Sequence, residues 1–139
     1  MGYPDSDAEC KMLLNRSGKN PLDSVNCIVS KNEFLEMQSK VQNVFVSDDM
    51  ARYIVSLILA TRKHPLLSRG ARATLSLTDM AKAVAFAEGR DYIVPRDVQN
   101  IFICTVNHRI ILNAKASASK KNSEEILHEI LRKTPKPRT

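Results

Sequence analysis

Apolar and polar positions alternate with a helical period along most of the chain. In "SDDMARYIVSLILATRKH" (47–64), Met50, Tyr53, Ile54, Leu57, Ile58 and Thr61 recur every three to four residues and so share one face. Ser47 is placed to cap that helix, and Asp48 and Asp49 stand at the positive end of its dipole. Arg62, Lys63 and His64 stand at the negative end, and Pro65 stops the helix. "SKNEFLEMQSKV" (30–41) carries a stripe of Phe34, Met37 and Val41, and opens on Ser30 with Glu33 three residues on, the spacing of a capping box. "SDAECKMLLNR" (6–16) predicts a short amphipathic helix with Ser6 or Asp5 as cap. "SEEILHEILRK" (123–133) predicts another, with Ile126, Leu127, Ile130 and Leu131 as its apolar face.

The middle of the chain reads as two helices and a joint. "ARATLSLTDMAKAVAFAE" (71–88) is Ala-rich, and its small residues at 81, 83, 85 and 87 let neighbouring helices come close. Gly89 is a natural C-terminal cap. Tyr92–Val94 form an extended step, after which Pro95 suits the first turn of "PRDVQNIFICTVNHR" (95–109). That helix is expected to bury Val98, Ile101, Phe102 and Thr105. "SGKNPLDS" (17–24) reads as a loop, "NVFV" (43–46) as an extended link and "HPLLSRG" (64–70) as a connector. "IILNA" (110–114) is expected to be extended and free to pair with Tyr92–Val94, and "TPKPRT" to be a tail. No internal repeat and no strand-rich segment interrupts this pattern.

The expected fold class is therefore all-α: a compact bundle of five to six helices with at most a minimal two-stranded β element. The expected organisation is a helical domain over 1–114, a polar linker over 115–122, and a C-terminal helix with a basic tail over 123–139. Within the first of these, 1–46 supplies leading helices and a linker, and 47–114 the main bundle.

Composition narrows the classes. The 139 residues amount to about one domain, long enough for its own core. No apolar run approaches the roughly 18–20 residues of a membrane span. The opening "MGYPDSDAEC" is acidic and polar where a signal peptide is basic and then apolar. Cysteines at 10, 27 and 104 are odd in number and widely spaced, which argues against a disulfide framework or a zinc site. They are expected to be buried thiols of a reducing cytoplasm. The net charge of +6 is uneven: residues 1–61 hold 6 Lys/Arg against 8 Asp/Glu, and residues 62–139 hold 15 against 7. A basic half can face nucleic acid, nucleotide phosphates or an acidic partner, or can be a solvated surface.

Catalytic motifs do not occur. The chain has no Gly-x-x-x-x-Gly-Lys-Ser/Thr phosphate loop, no His-Glu-x-x-His and no Gly-x-Ser-x-Gly, and His64, His108 and His128 lack metal-ligand spacing. The chain is not expected to be an enzyme on its own or to hold a metal. His108-Arg109 and Arg62 read as positive charge at helix C-termini. Arg90, Asp91 and Asp97 read as structural, with Asp91 capping a backbone donor or pairing with Arg90 or Arg96. Arg72 is different. It falls in the first turn of the 71–88 helix, where positive charge opposes the dipole. It needs a carboxylate or an anion nearby, and a guanidinium is a good fork for phosphate oxygens.

Three stretches together, "YIVSLILATRKHP", "RATLSLTDMAKAVAFAEGRDYIVPRDV" and "NHRIIL", resemble the C-terminal lid of MoxR-type AAA+ ATPases. "GYPDSDAECKMLL" and "NPLDSV" resemble the segment that follows the ATPase core in that family, so the likeness covers nearly all of residues 2–113, and the last helix with "PKPR" fits it too. The resemblance implies an upstream AAA+ core carrying the phosphate loop, the magnesium-binding carboxylates and the arginine finger. ATP and Mg2+ would be bound in the full-length protein and not by this chain alone. It implies that a lid helix supplies a nucleotide-sensing arginine, which by alignment back from "EGRDY" is Arg72. It also implies neighbouring subunits of a homo-oligomeric ring, rigid-body lid motion, and chaperone-like remodelling of partners, von Willebrand A-type domain proteins among them. The sequence departs from the family at one place: Gly-Ala-Ser-Pro-Arg-Ala becomes "SRGARAT", without the Ser-Pro pair before Arg72, and Arg69 is the alternative sensor. Two other readings compete. A nucleic-acid-binding helical module would use the basic half, although "PRDVQNIFICTVNHR" offers only Arg96 and Arg109 and no aromatic interleaving. An adaptor would use the Ala-rich surface.

Overall fold

The computed structural model describes residues 4–15, 21–119 and 121–137. The chain parts into two compact units between Phe34 and Leu35. In the first, helix α1 (Ser6–Asn15) is capped by Asp5, whose Oδ1 accepts from Ala8 N at 2.7 Å, and a 3-10 turn spans Pro21–Ser24. The loop expected over 17–24 lies outside the described residues up to Asn20, and the last two residues of the expected tail lie outside them as well. Helix α2 (Lys31–Gln42) starts on the expected capping box: Ser30 N donates to Glu33 Oε2 at 2.7 Å and Glu33 N to Ser30 Oγ at 3.3 Å. Neither α1 nor α2 buries a residue, so the Phe34, Met37, Val41 stripe is not a core face.

The second unit holds the core. Helix α3 (Asp48–Lys63) begins where Ser47 Oγ accepts from Met50 N, and the six residues of its expected face are all buried. Helix α4 (Thr74–Ala87) buries Leu77, Ala81 and Ala85. Helix α5 (Pro95–Val106), extended by a 3-10 turn over Asn107–Arg109, buries Val98, Phe102, Thr105 and Val106. The two pack along their length because the alanines leave room for Phe102 and its neighbours. Helix α7 (Ser123–Lys133) is capped by Asn122 and Glu125 in a reciprocal pair, and adds Ile126, Leu127 and Ile130 to the same core against α3 and α5.

The fold is thus the expected all-α bundle with a two-stranded antiparallel sheet, and seven α-helices stand among the described residues, one more than the five to six expected. The additional one is α6 (Ala114–Ala118), in the stretch expected to be a polar linker. Asn113 Oδ1 accepts from Ala116 N, and Ala116 is fully buried. The sheet also differs from expectation. Strand β2 (Ile111–Leu112) pairs with β1 (Leu67–Arg69), inside the expected connector, and not with Tyr92–Val94. The register is Leu67 opposite Leu112 and Arg69 opposite Ile111, and the irregularity between them leaves Ser68 Oγ to donate to the carbonyls of Ile111 and Leu112. Tyr92 instead forms a parallel bridge with Phe45: Phe45 N donates to Asp91 O at 2.7 Å and Ile93 N to Phe45 O at 3.2 Å. The cysteines are a further correction: all three are exposed. Among the described residues, no helix is long and apolar enough to cross a membrane.

The joint between α4 and α5 follows the expected logic with one change of partner. Gly89 adopts φ +75°, the left-handed region that disfavours other residues, and Gly89 N and Arg90 N donate back to Phe86 O and Ala85 O. Arg90 grips Asp97 and not Asp91. Its Nη1 and Nη2 reach Asp97 Oδ2 and Oδ1 at 2.9 and 2.7 Å, while Nη2 also meets Glu88 and Nη1 the Tyr92 carbonyl. Asp97 is buried, and its Oδ2 also accepts from Val94 N at 2.8 Å, which caps α5. The hydrogen bonds that Arg90 donates to Asp97 and Glu88 push its guanidinium further toward its charged form.

His64 ends α3, and its Nδ1 accepts from Leu66 N at 3.3 Å. On α7, Glu129 is bridged by Lys121 and Lys133 at 2.8 and 2.6 Å, and these hydrogen bonds hold its carboxyl down to about 2. Burial holds His64 below its ordinary value; the Glu129 charge opposes this, and Lys121 and Lys133 add to it. A folded-state value below the unfolded one means that the folded chain resists protonation at this site. Its contribution is complete above about pH 6.5 and is lost as pH falls through the lower folded value. The melting temperature is expected to drop on acidification from pH 7.5 to 5.5, and less so in His64→Asn, whose amide oxygen accepts without titrating. Equal drops in both proteins, followed by circular dichroism, would exclude His64 as the cause.

Candidate functional site

Between the end of α3 and the start of α4 lies an open cleft of about 720 Å3, lined by Arg62, Arg69, Gly70, Arg72 and residues 73–76. The chain enters it along β1, where Arg69 is exposed opposite Ile111. Gly70 then passes against the backbone of α3. A Cβ at this position would lie 2.4 Å from Arg62 Cα and 2.5 Å from Arg62 N, so only glycine fits. Ala71 N donates to the buried Thr61 Oγ1 at 3.0 Å, and that hydroxyl donates in turn to Ile58 O. Ala71 O accepts from Arg62 Nε at 3.1 Å, and Arg72 O from Arg109 Nη1 at 3.3 Å.

Burial along this stretch alternates. Ala71 and Ala73 are buried and Arg72 between them is exposed. In non-helical backbone that alternation turns Arg72 away from the core. Helix α4 starts three residues later than the sequence suggests, at Thr74, with Ala73 as its cap residue and no side chain accepting from its first amides. The reason is chemical: without a Ser-Pro pair before Arg72, nothing there caps or preorganises a first turn. Arg72 is therefore ahead of the helix, not in its first turn. The opposition to the helix dipole that the sequence suggested is eased by this shift, yet the charge still faces the end that favours anions.

Among the described residues, no carboxylate pairs with Arg62, Arg69 or Arg72, and no acidic residue lines the cleft. The simple salt bridge that would account for Arg72 is thus not formed. The structure gathers Arg72 and Arg69, both singled out in the sequence, and adds Arg62, whose helix-end position had suggested only a dipole contact. Likewise Arg109 crosses to Arg72 and does not cap its own helix. Neither cross-chain bond has a sequence signal, because the partners are backbone carbonyls 9 and 37 residues away. Among the described residues, no group of three His, Cys, Asp or Glu side chains could hold a metal ion.

Comparison with known proteins gives the family. Residues 59–130, which hold the cleft lining and run from the end of α3 into α7, match the AAA lid domain family. Chaperone MoxR1 of Mycobacterium tuberculosis (strain ATCC 25618 / H37Rv) is 29% identical over 99% of this chain and 39% of its own length. YeaC of Bacillus subtilis (strain 168), an uncharacterised protein, is 32% identical over 94% of this chain and 42% of its own. A crystal structure of a candidate ATPase from Cytophaga hutchinsonii ATCC 33406 superposes with a TM-score of 0.85 and 34% identity, over 99% of this chain and 45% of that one. The chain spans about two fifths of the length of the curated relatives it matches.

Proposed function

The chain belongs to the AAA lid domain family, as the lid of a MoxR-type AAA+ ATPase, and from that premise we propose that it senses nucleotide through Arg72. The observation that carries this reading is a guanidinium with no carboxylate partner, set on a pinned segment at the mouth of a cleft that Arg62 and Arg69 also line. Such a donor set fits phosphate oxygens and does not fit a cation. The ligands for Mg2+ accordingly belong to the AAA+ core, as does the phosphate loop that this sequence does not contain.

In this reading ATP bound to the core, of the same subunit or of a neighbour in a homo-oligomeric ring, brings its γ-phosphate to Arg72. The guanidinium stabilises charge on the transferring phosphoryl group, which is the task of electrostatic groups in such reactions. Once the phosphate leaves, that attraction is gone and the lid turns as a rigid body. The work done is chaperone-like remodelling of partner proteins, with von Willebrand A-type domain proteins as clients and the cytoplasm as the setting. Arg69, on β1 beside the cleft, is the substitute if Arg72 does not make the contact.

The test is ATP turnover in the protein that joins this lid to its core. Arg72→Ala is expected to lower phosphate release at saturating ATP at least about tenfold, roughly 1.4 kcal/mol of barrier. Full turnover in Arg72→Ala with a loss in Arg69→Ala would transfer the role to Arg69. Full turnover in both would remove the cleft from the mechanism.

A further inference from the structure

The conformation of Arg72 depends on the two peptide groups that flank its Cα. The peptide before it ends in Ala71 O, which Arg62 Nε holds at 3.1 Å. The peptide after it carries Arg72 O, which Arg109 Nη1 holds at 3.3 Å. Fixing the planes of both peptides fixes φ and ψ of the residue between them, and with them the direction in which its side chain leaves the backbone. On its carboxyl side the segment is otherwise held by the burial of Ala73 and the start of α4. It is not helical, its next residue Ala73 offers no capping side chain, and helix hydrogen bonding starts only with Leu77 N on Ala73 O.

Arg109 is itself prepared for this contact. It lies at the end of the 3-10 turn that follows α5, and its Nε donates to His108 Nε2 at 3.0 Å, which sets the plane of the guanidinium. An arginine at the end of a helix ordinarily finds the last carbonyls of that helix or a carboxylate. Among the described residues Arg109 has neither, and its remaining hydrogen bond is the one that crosses to Arg72 O.

We propose that Arg109 is a positioning residue for the nucleotide-sensing arginine: it locks the main chain at Arg72 from the far side and so aims a side chain it does not touch. This rests on the reading of Arg72 given above. Arg109 itself makes no contact with nucleotide; it narrows the set of directions from which Arg72 approaches the phosphate. A group misplaced by about 1 Å can forfeit much of its effect on a reaction, so the consequence falls on turnover more than on ATP binding.

The experiment is a double-mutant cycle in the full-length ATPase, read as kcat and KM for ATP, with melting curves of each protein. Arg109→Gln is expected to lower kcat roughly three- to tenfold with KM changed by less than about twofold. Arg109→Lys, which keeps a donor on a long side chain, is expected to recover most of that loss. In an Arg72→Ala background, Arg109→Gln is expected to cost nothing further, because nothing is left to aim. Wild-type kcat in Arg109→Gln, or an equal loss with and without Arg72, overturns the inference. So does failure of Arg109→Gln to fold, since Arg109 would then hold the domain as a whole. In the first two outcomes a loss in Arg72→Ala alone still supports the sensor, whereas full turnover in Arg72→Ala removes the sensor and its positioning residue together.

Discussion

Arg90→Met is expected to destabilise the folded chain by about 3 kcal/mol, the lower end of what removing one partner of a buried ion pair costs. Asp97 is almost completely buried, and Arg90 supplies both of its charge-bearing partners at 2.7 and 2.9 Å. Without Arg90 the carboxylate keeps only the Val94 amide. The lower end of the range applies because Arg90 is itself 21% exposed, so water can reach the vacated side of the pair. In a chain of this size the loss corresponds to roughly 10 °C in melting temperature. A paired substitution separates charge from shape. Arg90→Met combined with Asp97→Asn removes the unpaired charge and keeps an oxygen for Val94 N, so it is expected to regain more than half of the loss. Thermal denaturation of the single and double variants decides the matter. A single variant as stable as wild type would mean that water solvates Asp97 without Arg90.

Gly70→Ala is expected to cost about 2 kcal/mol, in the range for forcing a methyl group into a filled space. The argument is steric and concerns backbone, not a side chain that can step aside: the new Cβ would meet Arg62 Cα and N at 2.4 and 2.5 Å. Either the end of α3 or the segment leading to Arg72 must move. Movement of that segment loosens the hydrogen bonds from Ala71 N to Thr61 and from Arg62 to Ala71 O together. Turnover of the full-length ATPase is therefore expected to fall with stability, by a factor similar to that of Arg72→Ala. Normal melting and normal turnover in Gly70→Ala would show that the contact relaxes without disturbing either.

Local signals in the sequence suffice where one short stretch decides the outcome. Ser47 with its two aspartates starts α3, Ser30 with Glu33 starts α2, and Gly89 with Pro95 frames the α4–α5 joint, each within a single turn of helix. The partner of Arg90 is Asp97 and not Asp91, which was one of the alternatives the sequence left open. Asp91 stands nearer Arg90 in sequence, but only Asp97 stands three residues after Val94, so that its side chain can return to the Val94 amide while facing Arg90. The start of α4 could not be placed, because the absence of a capping side chain leaves the first turn to be decided by packing around Ala71 and Ala73. Sheet pairing was beyond reach for another reason. Ile111–Leu112 has equal local preference for any free strand, and Asn113 makes the choice by reaching from there to Pro65 O and Leu66 O. Of the cleft, Arg72 was visible as misplaced charge and Arg69 only as the alternative to it where the sequence departs from the family pattern, while Arg62 and Arg109 entered through long-range bonds to main-chain carbonyls.

The parallel bridge between Phe45 and Tyr92 ties the chain that leads into α3 to the joint at the end of α4. Phe45 gives and takes a backbone hydrogen bond with residues 91–93, and Lys82 Nζ on α4 reaches the Gln42 carbonyl just upstream. The strand of chain that leads into α3 is thereby fastened near the carboxyl end of α4, whose other end adjoins Arg72. The 14 residues of α4 set an arm of about 21 Å at 1.5 Å per residue. With that arm, a tilt of about 5° at the fastened end carries the far end through roughly 2 Å. That distance is comparable to the difference between a hydrogen bond made and one broken.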